Sequence, residues 1–431
     1  MQKSTLLLSL FFITQFANAQ QQCGTYEYES YLNDKFPGYS KALDQTRQQS
    51  LEGLEKLNKA DADSVYRIPV VFHVVWNNAK QNLHDSLIFS QLKALNESYR
   101  HTHKDTGKVR AIFKPVAGDT RIEFYLATKD PNGNLTNGIN RINTARSDFG
   151  EGFSAYADGV KSTVDQGVDA WDPEKYLNIW VCKFTYNGTL IVSAYAYPPV
   201  NAQFWNAQYY KSLDLQGVVV NYQYVGYKNP NDIAGNSIRE RTLVHEVGHY
   251  LGLRHIWADK QNICTGEDDG FKDTPLARSA TTSCTPSKNT CNEGTGDKPD
   301  MIENYMDYSP YPCTVMFTQM QAKLMRYNLV NLRPKLYQLK TNQPPPPPPP
   351  VYTQIAVTPN PVVGQLKIVF PEKGDYKMSI TDIIGQQVNS SEFKVGDNFE
   401  FTSSLNLAAG FYYLNIANGS NTVLKQKILV K

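Results

Sequence analysis

His245-Glu-Val-Gly-His-Tyr-Leu-Gly-Leu-Arg-His255 reads H-E-x-x-H-x-x-G-x-x-H. On a helix, His245 and His249 stand four residues apart, so they share one face about a turn from each other. Two imidazoles at that spacing reach one Zn²⁺ at roughly 2.0–2.1 Å. Glu246 lies beside the first histidine, placed to take a proton from a metal-bound water. Gly252 can end the helix at positive φ because it has no Cβ to clash. The chain then turns back and brings in His255 as a third ligand. Three protein ligands leave one position open, as in a catalytic rather than a structural zinc site. The bland alternative is an amphipathic helix with satisfied histidines. Only 7 histidines occur in the chain, and three of them fall in this stretch.

The extended pattern is far rarer by chance than a bare H-E-x-x-H, and with it the chain resembles the metzincin zinc endopeptidases. A second segment strengthens the likeness. In Glu303-Asn-Tyr-Met-Asp-Tyr308, Met306 matches the family's Met-turn and Tyr308 its tyrosine near the metal. The resemblance implies a soft thioether floor under the imidazoles and a phenol that donates to the developing oxyanion. Within metzincins, these motifs and the strand Ile68-Pro-Val-Val-Phe-His-Val-Val75 are most similar to the pappalysin family, over roughly residues 66–330. That likeness implies the disulfides Cys264–Cys291 and Cys284–Cys313. Spacing alone leaves three connectivities open for these four cysteines. It also implies structural Ca²⁺ near Asp268-Asp-Gly-Phe-Lys-Asp-Thr-Pro275, with Asp269, Asp273 and Thr274 as ligands; the alternative is a solvated acidic turn. Some relatives prefer a basic residue after the cleaved bond and carry an acidic residue before the last cysteine. Pro312 stands there in this chain, which puts that preference in doubt.

The 431 residues call for two or three domains. A net charge of +2 gives no argument for nucleic acid or a polyanionic partner. Four of the six cysteines cluster just downstream of the histidine motif, which points to disulfides and an oxidising compartment. Lys3, the short apolar run Leu6 to Phe16 and Ala17-Asn-Ala19 read as a secretory signal peptide, residues 1–19. No other run is long enough to span a bilayer, so no transmembrane segment is expected.

Residues 20–66 are polar, with a helical stretch at Ser50 to Leu57, and read as a pro-segment across the site. Cys23-Gly24 sharpens this: the Cys23 thiolate can take the open zinc position and keep the enzyme latent, a switch the pappalysin likeness favours. A Cys23–Cys182 disulfide and a free thiol are the alternatives. Residues 67–340 form the protease domain. Ile68–Val75, Ile122–Ala127, Tyr176–Cys182 and Gly217–Asn221 are strands, with His73 and Cys182 as packed core residues. Asp85 caps a helix to about Arg100, and the histidine helix begins near Asn236 or Ser237. The fold class is α+β: a twisted mixed sheet with backing and zinc-binding helices, above an irregular disulfide-stapled lower subdomain. One sheet edge is expected to hold an extended peptide substrate by β-augmentation, without the sequence identifying which strand.

Residues 341–352 form a proline-rich linker around Pro344 to Pro350. Residues 353–431 are short strands with turns, a small all-β sandwich. Val357-Thr-Pro-Asn-Pro361, Ile380-Thr-Asp-Ile-Ile-Gly385, Leu407-Ala-Ala-Gly-Phe-Tyr-Tyr413 and the terminal lysines resemble the C-terminal sorting domain of the Bacteroidetes type IX secretion system. The resemblance implies that machinery as a partner and a secreted or cell-surface location. A carbohydrate- or collagen-binding module is the competing reading. The expected activity is zinc-dependent hydrolysis of protein or peptide substrates by a zymogen, with Zn²⁺ and Ca²⁺ as metals. The rival is an inactive adhesion protein on the same scaffold, against which the intact Glu246 argues.

Overall fold

The computed structural model describes residues 22–56, 64–150, 157–185, 189–190, 192–205, 214–231, 240–259, 264, 268–339, 355–396, 400–419 and 421–431. The expected signal peptide, the proline run and the start of the histidine helix lie outside the described residues. The first compact unit takes in the described residues up to Tyr125 and those from Asn140 to Leu339. The second takes in Leu126–Ile139 and the described residues from Ile355 onward.

The apolar run near residue 70 becomes the strand Tyr66–Trp76, buried except at Arg67 and Trp76. It pairs in parallel with Leu177–Cys182, Val70 opposite Leu177. That strand pairs in parallel with Val218–Asn221. Parallel strands covered on both faces read as continuous apolar runs, which is why these three were visible in the sequence. Val192–Ala196 joins antiparallel beyond Val218–Asn221. Apart from Gln22–Cys23 it is the outermost strand on this side of the sheet. Gln22–Cys23 adds to it in parallel, with Gln22 opposite Val192 and Cys23 opposite Ala194. His73 is fully buried and stacks on Trp180, centroids 5.4 Å apart.

The backing helix runs Asp85–Tyr99, and its cap differs from expectation. His84, not Asp85, is the N-cap, and its Nδ1 accepts from Ser86 N at 3.2 Å. Asp85 starts the helix and pairs with Arg141 instead. An imidazole nitrogen can act as the capping acceptor when it is the neutral tautomer's free lone pair. This helix meets the histidine helix, Glu240–Tyr250, where Tyr99 Oη donates to Val244 O at 3.2 Å.

The segment after Cys23 forms two helices, Thr25–Lys35 and Tyr39–Gly53. The second begins well before the expected Ser50, and Leu54–Lys56 continues it as a 3₁₀ turn. It buries Tyr39, Ala42, Leu43, Thr46, Ser50 and Gly53, one face at helical spacing. A Cβ on Gly53 would lie 2.2 Å from the Tyr327 ring, so only glycine allows that approach. These helices share one apolar cluster with Trp180, Tyr195, Tyr197 and Trp205. Their stability therefore comes from the sheet they cover, not from a core of their own.

Below the histidine helix the chain is turns and bends. Cys264–Cys291 and Cys284–Cys313 are disulfides, Cα atoms 5.4 and 5.8 Å apart. Cys23 and Cys182 are both buried free thiols, so no bridge joins them. Helix Gln319–Leu332 follows, started by a capping box of Thr318 and Gln321.

The second unit is all-β from Ala356. Seven strands follow one hydrogen-bonded path around a single core that includes Leu366, Ile368, Met378, Leu414 and Ile428. Two of them, Ala356–Val363 and Glu400–Ser404, had no strand signal. The first contains Pro359 and Pro361, which normally demote a strand, and the second is mostly polar.

Candidate active site

Helix Glu240–Tyr250 presents His245 and His249 on one face. The helix then ends at Gly252, φ +100°, with Leu253 N donating to Gly248 O at 3.0 Å. A Cβ at Gly252 would lie 2.1 Å from Asn328 Nδ2, so space as well as φ demands glycine. Asn328 in turn donates to Leu251 O at 2.9 Å. The turn carries His255 back to the other two histidines.

The three Nε2 atoms are mutually 3.1 Å apart. Each Nδ1 faces an acceptor: Tyr305 O for His245 at 2.6 Å, Leu253 O for His249 at 2.8 Å, and Asp259 Oδ1 for His255. Each Nδ1 therefore carries the ring proton, and three Nε2 lone pairs converge. Converging lone pairs without a proton between them repel, and a cation removes the repulsion. Burial also pulls His245 down to about 3 and His249 well below its ordinary value, which keeps both rings neutral and able to ligate. Cys23 Sγ joins the group: all four donor atoms lie within 4.8 Å of one another, and all four residues are buried. Three imidazoles and one thiol at this spacing are a donor set suited to zinc.

Glu246 is fully buried beside this group. Its Oε2 accepts from Thr25 Oγ1 at 2.8 Å and from the Cys23 thiol at 3.4 Å. Its Oε1 has no hydrogen-bond partner among the described residues. Burial raises its pKa to about 7, against the lowering effect of the Cys23 and Thr25 hydrogen bonds. Burial, then the Glu246 charge, pushes the Cys23 thiol well above its ordinary value; a bound cation reverses that balance.

Met306 is fully buried under the helix. A Cβ at Gly248 would sit 2.6 Å from Met306 Sδ, so the glycine lets the thioether approach. Tyr308 donates its phenol to Cys23 O at 3.2 Å, its ring 4.9 Å from that of His255. Burial raises the phenol's pKa, which keeps it a donor.

Three neighbours of the site were missed from sequence. Thr25 reaches Glu246 across 221 residues. Asp259 holds His255, and Trp257 stacks on the same ring, centroids 4.3 Å apart and planes 6° from parallel. No periodicity marks Asp259 and Trp257, because the segment after His255 is irregular, and nothing local to Thr25 points to so distant a partner. The residues expected to hold calcium do not gather into one cage. Asp269 Oδ1 accepts from Thr274 Oγ1 at 2.7 Å. Asp273 instead accepts from Thr318 Oγ1 and Met320 N, both at 2.8 Å, at the start of helix Gln319–Leu332. A carboxylate there satisfies free helix N–H groups.

Comparison with known proteins agrees with this geometry. A family profile described as pregnancy-associated plasma protein-A, of the M43 peptidases, matches residues 160–330. A secretion system C-terminal sorting domain matches residues 356–431. An extracellular metalloprotease of Arthroderma gypseum is 25% identical over 328 residues, 76% of this chain and 89% of its own length. Mature mirolysin of Tannerella forsythia, in complex with a cleaved peptide, is 36% identical. That match covers 64% of this chain and 96% of mirolysin, with a TM-score of 0.55. A promirolysin variant from the same organism is 34% identical, covering 68% of this chain and 91% of its own, with a TM-score of 0.57.

Proposed function

Because this chain belongs to the pappalysin family of metallopeptidases, we propose that it is a zinc-dependent endopeptidase made as a latent zymogen. It is a secreted or surface-displayed metalloprotease, and its sorting domain implies passage through a dedicated secretion machinery. Among the described residues no helix is long and apolar enough to cross a membrane. The observation that carries the finer reading is the cluster of Cys23 with His245, His249 and His255. In this reading residues 1–19 are a signal peptide, 20–66 the pro-segment, 67–340 the protease, 341–352 a linker and 353–431 the sorting domain.

His245, His249 and His255 hold the zinc, which when bound acidifies water and polarises the scissile carbonyl. Glu246 takes the proton of the attacking water and returns it to the leaving amine. Tyr308, free of Cys23 O in the active form, donates to the oxyanion. Met306 supports the rings from below. In the latent form the Cys23 thiol would join the three histidines as a ligand while Thr25 engages Glu246. Calcium at Asp269, Asp273 and Thr274 has in its favour only that Asp269 Oδ2 is buried with no hydrogen-bond partner among the described residues; unchanged thermal stability on calcium-selective chelation removes it from the scheme.

The test is casein cleavage by the zinc-loaded full chain after limited proteolysis of the pro-segment, with and without a zinc chelator. Cleavage that stops with chelator and returns with zinc is expected. A zinc-loaded, pro-segment-free sample that cleaves nothing overturns the assignment.

A further inference from the structure

Tyr28 lies one helical turn beyond Thr25, the residue that engages Glu246. Its side chain is fully buried against the sheet, ring centroid 4.5 Å from that of Tyr195 on strand Val192–Ala196. At its far end the phenol meets a buried ammonium and a partly buried carboxylate. Tyr28 Oη donates to Asp158 Oδ1 at 2.8 Å, and Lys161 Nζ donates to Tyr28 Oη at 3.0 Å. Asp158 and Lys161 pair with each other at 3.1 Å. The lysine ammonium also sits 5.1 Å from the Tyr195 ring centroid and 5.6 Å from that of Trp180.

We propose that Asp158, Lys161, Trp180 and Tyr195 form a substrate subsite for a tyrosine side chain, occupied here by Tyr28 of the pro-segment. The inference rests on the zymogen reading, in which residues 20–66 leave. When Tyr28 leaves, Asp158 loses a donor and Lys161 loses an acceptor. A buried charged group left one hydrogen bond short is costly. One oxygen that both donates to the carboxylate and accepts from the ammonium restores both, and among ionised or neutral side chains at pH 7 a hydroxyl does this. The aromatic walls and the depth of the pocket require that the hydroxyl sit at the end of a ring, as it does on tyrosine. Serine and threonine are too short; phenylalanine fills the walls but returns neither bond, leaving Asp158 and Lys161 with each other, Leu215 O and the more distant Tyr195 Oη. Tyr195 lies on the strand that pairs with Gln22–Cys23, next to Ala196, whose N donates to Thr25 Oγ1 at 2.9 Å. A peptide laid on that strand for cleavage passes Tyr195.

The experiment profiles cleavage of a proteome-derived peptide library by the zinc-loaded full chain after tryptic removal of the pro-segment. Tyrosine is expected at one fixed distance from the cleaved bond. Replacing that tyrosine by phenylalanine should lower kcat/KM about tenfold or more, since the lost bonds are to charged groups. Asp158→Asn should narrow the tyrosine-to-phenylalanine ratio. Calorimetry on the trypsin-treated Glu246→Gln chain gives a second readout: tighter binding of the tyrosine peptide than of its phenylalanine twin. Equal handling of the two peptides in both assays overturns the subsite, with cleavage itself intact. Loss of all cleavage with the binding preference retained overturns the protease reading and leaves the subsite standing.

Discussion

Thr25 Oγ1 donates to Glu246 Oε2 at 2.8 Å and accepts from Ala196 N at 2.9 Å. One hydroxyl of helix Thr25–Lys35 thus joins the buried glutamate to strand Val192–Ala196. Two residues earlier, the Cys23 thiol faces the histidine cluster. The cysteine thus faces both the histidines and the glutamate, 3.4 Å from Oε2, while the threonine reaches only the glutamate, so in the proposed zymogen latency has two parts that can be removed one at a time.

Cys23→Ala should release the ligand position, and Thr25→Val should remove the hydroxyl without changing shape much. Hydrogen bonds to charged groups are worth about 1.5–3 kcal/mol, so basal cleavage by the full chain should rise on the order of tenfold in Thr25→Val. Cys23→Ala should exceed it. The measurement is initial rate on a fluorogenic peptide without activation; a silent Cys23→Ala chain with full zinc content would remove the cysteine from the latency mechanism.

Glu246→Gln should keep the fold and the zinc while losing about 10²–10⁴-fold in turnover, the usual contribution of a positioned base. Zinc per chain by atomic absorption and turnover after activation are read on the same sample. Retained turnover contradicts the role given to Glu246.

Asp259 fixes the His255 ring through Nδ1. Such outer partners typically contribute 10–100-fold in metal affinity, so Asp259→Ala should weaken zinc binding by about that factor. Competition with a zinc indicator measures it, and Asp259→Asn, which still accepts a hydrogen bond, should recover part of the loss. Unaltered affinity in the alanine variant shows that Trp257 stacking alone holds the ring.

His73 provides a pH dependence independent of the metal. Its Nε2 donates to Asn178 Oδ1 at 2.8 Å, and its Nδ1 accepts from Asn140 Nδ2 at 3.1 Å. Burial lowers its pKa from 6.5 to about 4. The folded value is the lower one, so this contribution is complete above pH 6.5 and is lost as pH falls through 4. The full loss is about 3 kcal/mol. His73→Gln should flatten the fall in unfolding free energy between pH 7 and pH 4, measured by urea titration. An unchanged pH profile rules the histidine out as its source.

Much of this protein could be read along the chain. The helix pitch places His245 and His249 on one face, Gly252 permits the reversal, and parallel strands buried on both faces show as apolar runs. Those signals are local, because spacing along a helix or strand determines which side chains point together. The polar residues 22–56 carried little such signal, since the face they bury is completed by Trp180, Tyr195 and Tyr197 of the sheet.

The sequence by itself determined the histidine set, the glutamate beside it, the family and the two-part organisation. Only the tertiary structure decided that Gln22–Cys23 pairs with Val192–Ala196, that Thr25 engages Glu246, and that Asp259 orients His255. It also separated Asp273 from Asp269. The physical reason is that hydrogen-bond partners hundreds of residues apart, or on irregular backbone, leave no periodic trace. Their pairing exists only once the sheet and the helices have brought them within about 3 Å.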